Sequence, residues 1–448
     1  MFSLKRLVLI SGIFLLSWPL MSQQVIELSL DQARAYAQEH NYDLQNANLD
    51  VGTAQQKVKE TVATGLPQAN ASIGYNDNIG LPVQLVPGDF FGQPGKDIEV
   101  QFGTRYSSSL GASVSQLLFS GSYLVGLQAS KAYLEQSEKN LAKTKTEVTK
   151  AVSEAYFLVL VSEEALDVID STIAITGKLA EQTRILVENG FSEETDYDQL
   201  YLLMADLQVS RVDILNQIER STSMLKYQLG MEVGQNIKLT ESLFDLTEKL
   251  AAEQLLTKQF KLDSNIDFQI LKNQQELSAL QLKLEKSAFL PTLSAFLNYQ
   301  TQAQRNSWDF FDSKGKWYAS SVWGVSMQIP LLSSGERIYK VRQAKLQVEK
   351  TKVAEQMVST SLKLQHQNTR DELSNAVNTF QNTRSNKELA EKIFRRTGIK
   401  YVEGLATSLD LLNTHDQYIK SQSQFINSAL NLLNKSVAME ALLTESEQ

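Results

Sequence analysis

The stretch GSYLVGLQASKAYLEQSEKNLAKTKTEVTKAVSEAYFLVLVSEEALDVIDSTIAITGKLAEQTRILVEN, residues 121–189, decides the fold. It holds no proline and only two interior glycines, Gly126 and Gly177, so little in it interrupts a helix. Leu127, Leu134, Leu141, Val148 and Ala155 recur every seven residues, the seam of a left-handed coiled coil. At about 1.5 Å per residue such a helix would reach roughly 100 Å, wider than any ordinary globular core. Residues 335–403 form a second proline-free run of the same length. Each run ends at a glycine, Gly190 or Gly404, with an aspartate six residues on, Asp196 or Asp410. Gly121, Gly190 and Asp196 therefore repeat as Gly335, Gly404 and Asp410 at a constant offset of 214.

Working outward, the chain reads as two similar halves building one body. Ser29 and Gln32 form a capping box, so a first helix is expected from Leu30 to Gly65, ahead of Pro67. After Pro67 the period changes to two. Ala69, Ala71, Ile73 and Tyr75 alternate with Gln68, Asn70, Ser72 and Gly74. Tyr106, Leu110, Ala112 and Val114 alternate with Ser107, Ser109, Gly111 and Ser113. Both stretches are expected as strands with one apolar and one small polar face, long enough to cross an outer membrane at a tilt. Pro82, Pro87, Pro94 and three glycines between them suit an exposed loop without regular structure. The second half retraces this order. Asn265-Ile266-Asp267 answers Asn41-Tyr42-Asp43, and Leu290-Pro291 answers Leu66-Pro67, both at an offset of 224. Leu293, Ala295, Leu297 and Tyr299 mark a third strand, with Phe296 as its exception; Trp323, Val325, Met327 and Ile329 mark a fourth.

The expected organisation is a signal peptide over residues 1–22, then a first repeat over 23–233. That repeat holds a helix, strands near 68–79 and 105–118, the long helix 121–189 and a helix over 195–229. A connector follows over 234–260, with a short helix around 248–258. The second repeat, 261–448, holds a helix, strands near 292–300 and 318–329, the long helix 335–403 and a helix over 407–444. The signal rests on Lys5 and Arg6, the apolar run Leu7–Leu20 and small Ser22; a buried N-terminal helix is the other reading. No later run is long and apolar enough for a helical membrane span, which leaves a β-barrel as the route into a membrane.

Net charge is −8, and 41 basic against 51 acidic residues remain after the signal, an acidic balance that argues against a nucleic-acid partner. With no cysteine there is no disulfide, thiolate metal site or lipid anchor. His40 sits on a heptad seam as a packed core residue; His366 and His415 lack a second ligand at helical spacing. No phosphate-binding glycine loop or nucleophile elbow occurs, and pairs such as Glu163-Glu164 and Glu193-Glu194 read as solvated faces. Neither an enzyme activity nor a cofactor is expected, so energy for any transport must come from a partner.

Four strands cannot close a membrane barrel, and an open edge is not tolerated in lipid. The strands must be pooled between chains, and three chains would supply twelve. The expected fold is thus mainly α with a membrane β part: very long coiled-coil helices, four strands per chain and two tandem repeats. Assembled, they would form a trimeric 12-strand β-barrel continued by an α-helical barrel. Trp308, Trp317 and Trp323, with Tyr75 and Tyr299, are the candidate membrane-interface aromatics against outer-membrane lipid.

This order, with its Leu-Pro boundaries and the tips Val187-Glu188-Asn189-Gly190 and Tyr401-Val402-Glu403-Gly404, resembles the outer-membrane efflux protein (TolC) family. The resemblance implies a homotrimer in the outer membrane with a long periplasmic extension. It also implies an exit duct for small toxic molecules, served by a periplasmic adaptor and a proton-driven or ABC-type inner-membrane pump. The same duct serving type I protein secretion remains open, as does, from another class, a pore-less periplasmic coiled-coil scaffold. By the resemblance, Tyr401 and Asp410, with Asn413 and Asp196, belong to a constriction at the periplasmic mouth. Asp410 and Asp196 also fit plain helix caps. Where the family often carries an arginine and a second acid, this chain has Ala406 and Asn413, a departure that puts in doubt the salt-bridge lock the resemblance implies. Gly190, Phe191, Ser192, Gly404, Leu405 and Ala406 would meet the adaptor.

Overall fold

The computed structural model describes residues 25–444 except 93, 251, 313 and 314; the expected signal segment lies outside the described residues. In chain order the first elements are β1 (Ile26–Leu28), α1 (Leu30–His40), α2 (Tyr42–Thr64), β2 (Gln68–Asp77), β3 (Val83–Pro87), β4 (Asp97–Gln101) and β5 (Tyr106–Ser120). Next come α3 (Gly121–Glu188), α4 (Glu194–Leu229), β6 (Ile237–Leu239), α5 (Leu243–Lys249) and α6 (Ala252–Thr257). The chain closes with α7 (Ile266–Ser287), β7 (Thr292–Arg305), β8 (Tyr318–Gln328), α8 (Glu336–Val402) and α9 (Ser408–Leu443). Among the described residues no helix is long and apolar enough to cross a membrane. Two compact units divide the chain.

The unit holding residues 43–147, 258–369 and 440–448 contains the sheet. Its order is β2-β5-β7-β8, every neighbour antiparallel. The register sorts side chains by face, because directly opposed residues share a side. Ala69, Val114, Leu297 and Trp323 form one row of the apolar face, and Ala71, Ala112, Tyr299 and Ser321 the next. On the other face Asn70, Ser113, Asn298 and Val322 align, then Ser72, Gly111, Gln300 and Ser320. Apolar groups stay bare: Ile73 is 82% and Trp323 78% exposed. Among the described residues the outer edges of β2 and β8 have no strand partner.

The loop expected to lack regular structure does not. Its residues 83–87 and 97–101 pair as the β3–β4 hairpin, in register from Val83↔Gln101 to Pro87↔Asp97. Val83, Leu85, Ile98 and Val100 supply the strand residues. The prolines and glycines punctuate the hairpin instead of dissolving it: Pro87 ends β3, while Gly92 and Gly95 turn the chain with φ of 74° and 79°.

The expected single helix from Leu30 to Gly65 is broken at Asn41, whose φ and ψ of −62° and 135° are extended. Its side chain donates to the Gln228 carbonyl at 2.7 Å, at the end of α4. Asn265 plays a like part before α7: its Oδ1 accepts from the Asp267 and Phe268 amides, and its Nδ2 donates to the Leu442 carbonyl near the end of α9. A helix-long seam hides this break, since an asparagine cap is set by a tertiary acceptor.

The other unit holds residues up to 42, 148–257 and 370–439. In it α3 buries Val152, Tyr156, Phe157, Val159 and Leu160. The connector is more ordered than one short helix: β6 pairs in parallel with β1, and Ser242 and Asp245 cap α5 reciprocally. The Tyr156 hydroxyl donates to the Leu28 carbonyl, and Phe244 and Phe380 each stack on Phe425 at 5.0 and 5.3 Å.

Gly230 ends α4 in the left-handed region, φ 74°, where a Cβ would stand 2.1 Å from the His40 carbonyl oxygen. Gly230→Ala is expected to cost more than ~2 kcal/mol. Gly52→Ala, in open space inside α2, should gain about 0.5–1 kcal/mol. Thermal unfolding in detergent reads both; equal midpoints for the two variants would contradict the close backbone approach.

Candidate functional site

The tips of the two helical hairpins form one candidate site. α3 and α8 end by the same device. Gly190 and Gly404 take φ of 74° and 72°, and the following amides, Phe191 and Leu405, donate back to Leu186 and Lys400 at 2.8 Å. Nothing lies within 4 Å of a Cβ at either glycine, so conformation and not crowding calls for them. Phe191 is 81% and Leu405 73% exposed, large apolar side chains held out at the ends of the hairpins. Ala406 is half-buried against the cluster described below, and Ser192 donates to Asp196 at 2.7 Å.

The two aspartates sit at the third position of the helices that follow. Asp410 accepts from the Thr407 amide and hydroxyl at 3.0 and 2.7 Å, and its own amide donates to the Thr407 hydroxyl. These bonds hold its carboxyl below the usual range. Asp196 accepts from Ser192 and from the Glu193 amide. Partial burial pushes its carboxyl up, but hydrogen bonds from Ser408, Ser192 and Glu193 outweigh this and leave it lowered. Ser408 starts α9, so Asp196 joins the beginning of α4 to the beginning of α9. Asn413 is exposed one turn on from Asp410.

Tyr401 lies apart from both aspartates' caps. It is 6% exposed in a cluster with Leu200, Phe394, Leu411 and Tyr418. Its hydroxyl stands 3.1 Å from Thr183 Oγ1. Thr183 gives its own proton to the Leu179 carbonyl at 2.9 Å, so Tyr401 is the donor. A buried, neutral bond therefore ties α8 to α3. Thr183, Ser408, Phe394 and Tyr418 are not among the sequence-derived candidates. Thr183 falls seven residues before Gly190, but a hydroxyl at that spacing carries no signal without its partner.

His415 is buried at 3%, edge-on to Phe394 at 5.4 Å, with its Nδ1 3.6 Å from the Asp416 carboxylate, too far for a hydrogen bond. Burial lowers its pKa against the pull of Asp416, so it packs as a neutral ring. Beside the cluster a cavity of about 570 Å³ opens between Ile175 and Leu179 of α3 and Ile399 and Val402 of α8.

The aromatics of the sheet unit form a second group. Tyr75, Tyr299 and Trp323 lie on the apolar face, as their register requires. Trp308 and Trp317 lie in the β7–β8 loop, which folds back so that Phe310 meets Tyr75 at 5.9 Å and Trp317 at 6.3 Å. Arg305 fastens that fold, donating to the Lys316 carbonyl and lying 3.2 Å from Asp309.

Residues 33–230 and 261–445 match the outer membrane efflux protein family, which covers most of the chain in two stretches. The chain is 24% identical over 283 residues to the outer membrane protein TolC of Vibrio cholerae, an alignment spanning 62% of this chain and 59% of that relative's length. Its fold is similar to that of the outer membrane protein VceC of Vibrio cholerae, with a TM-score of 0.71 at 16% identity over 93% of this chain and 97% of that one. CusC gives a TM-score of 0.72 at 15% identity, covering 93% and 92% of the two chains. The CmeC outer membrane channel of Campylobacter jejuni gives 0.70 at 15%, covering 94% and 87%. By this family match the chain belongs to the outer membrane efflux protein family.

Proposed function

We propose that the chain is the exit duct of a tripartite efflux system, conducting small toxic molecules passively out of the cell. The observation that carries this reading is the sheet: four antiparallel strands, one apolar face, one mostly polar face and, among the described residues, two edges without strand partners. In lipid each unpaired edge group costs several kcal/mol, so the edges must meet those of other copies. Three chains give a 12-strand barrel with the Ser, Asn and Gln face turned to water, and the long helices continue it as an α-barrel into the periplasm. On this reading residues 23–233 and 261–448 are tandem repeats, joined by the connector 234–260. Trp308, Trp317, Trp323, Tyr75 and Tyr299 then mark the membrane interface, against outer-membrane lipid. A periplasmic scaffold would have no use for Ile73 and Trp323 standing bare on a strand face.

The tips take the adaptor and, through it, an inner-membrane pump that is proton-driven or ABC-type. Phe191 and Leu405 offer apolar contacts, while Gly190, Gly404, Ser192 and Ala406 hold the turns that present them. Tyr401, Asp410, Asn413 and Asp196 form the constriction, kept shut by the Tyr401–Thr183 bond.

Because the sequence contains no cysteine, introduced pairs report contacts between chains without background. Asn70→Cys on β2 combined with Ser320→Cys on β8, and pairs shifted by two residues, should cross-link into two- and three-chain species in isolated outer membranes. Single-chain species from every register would refute a shared barrel. Gly404→Trp should abolish export while leaving assembled protein in the membrane; drug-accumulation assays in cells read this, and normal export would count against an adaptor contact there. Tyr401→Phe and Thr183→Val each delete one partner of a bond worth about 0.5–1.5 kcal/mol. Each should raise the open fraction in planar bilayers by roughly two- to tenfold. An unchanged open fraction in both would remove the bond from the gate.

A further inference from the structure

The polar face of the sheet breaks its chemistry at four places, Leu117, Phe296, Tyr318 and Val322, of which Phe296 and its neighbour Val322 adjoin a glycine. β7 turns Ser294, Asn298, Gln300 and Gln302 to that face, and among them Phe296. Phe296 stands opposite Ser115 of β5 on one side and Gly324 of β8 on the other. Its ring leans across β8, so that Cζ and the two Cε atoms lie 2.9, 3.2 and 3.6 Å from where a Gly324 Cβ would stand. Any side chain at 324 would displace it. The ring is half-buried, and Val322, its apolar neighbour in the next row, is 55% exposed. The result is a small apolar shelf on a wall built mostly of hydroxyls and amides, with Leu117 in the adjoining row and a second ring, Tyr318, opposite Gln302 three rows away.

We propose that Phe296 is a stacking platform in the passage, contacting flat aromatic solutes, and aromatic cations above all, as they move through. The proposal rests on the reading that the polar face lines a duct. An aromatic face attracts cations through its quadrupole and stacks on other rings without needing a fixed hydrogen-bond pattern, which suits transient contact with varied cargo. The neighbouring Asn298 and Ser115 cannot supply either interaction. In a threefold assembly the three copies of Phe296 stand at one level, so a solute meets all of them at one point of its path. The competing role is structural: an aromatic covering a bare strand glycine.

The test uses the purified full chain in planar bilayers, with tetramethylammonium and benzyltrimethylammonium as paired probes of equal charge. Benzyltrimethylammonium should reside roughly two- to fivefold longer than its aliphatic partner. Phe296→Tyr should keep that ratio. In a Tyr318→Ser background, which removes the other ring on that face, Phe296→Ser should bring it to one, and so should Phe296→Leu, which retains apolar bulk over Gly324 but has no ring. A Phe296→Leu channel in that background, of normal conductance and with an unchanged ratio, overturns the platform and leaves the glycine cover. A wild-type protein that carries no current removes the duct reading, and the platform with it.

Discussion

A strand at the edge of a sheet leaves alternate backbone N–H and C=O groups without partners. Water can satisfy them; hydrocarbon cannot. Among the described residues β2 and β8 are such edges, with an exposed apolar face between them that, on the proposed reading, hydrocarbon covers. Most other features acquire meaning from this one constraint. The alternation of Ala, Leu and Tyr with Ser, Asn and Gln, broken at Phe296 and Val322, suits two faces that meet different solvents. The polar face is mostly Ser, Asn, Gln and Gly, with Leu117, Phe296, Tyr318 and Val322 as its larger side chains. β5 runs directly into α3, from Ser120 to Gly121 with no intervening loop.

Much of this architecture can be read from residue order, because it rests on local periodicity. The heptad of residues 121–189 and the alternation after Pro67 and Pro291 are properties of neighbours in sequence, and α3, β2 and β7 follow them. The break at Asn41 is different. Asn41 ends α1 by bonding the carbonyl of Gln228, and no pattern within residues 30–65 contains that acceptor. The β3–β4 hairpin shows a second limit: proline and glycine counts conceal where the turns lie, while the short alternation of Val83, Leu85, Ile98 and Val100 is the informative part. At the tips the glycines and aspartates announce themselves by spacing, but Thr183 and Ser408 do not. Each is an ordinary helix hydroxyl until the fold brings Tyr401 or Asp196 beside it.

The tips also show how one residue serves two ends. Asp196 and Asp410 each satisfy amides that their helix starts leave open, a task any capping acid performs. Asp196 goes further, since Ser408 belongs to another hairpin. Stabilising a helix and joining two hairpins therefore draw on the same carboxylate. Tyr401 divides its work likewise, with its ring in the cluster around Phe394 and Leu411 and its hydroxyl on Thr183. Hydroxyl pairs of this kind respond weakly to salt, unlike exposed ion pairs.

The parallel pairing of Ile26 with Ile237 and of Leu28 with Leu239 bears on biogenesis. The earliest described segment finds its place only after some two hundred further residues have been delivered. Loop-closure entropy of that span has to be met before the contact yields anything, and β5 waits in the same way for β7. On the proposed reading, a polypeptide exported from its amino end would stay unfinished through most of that passage, its apolar strand faces uncovered until the distant half arrives.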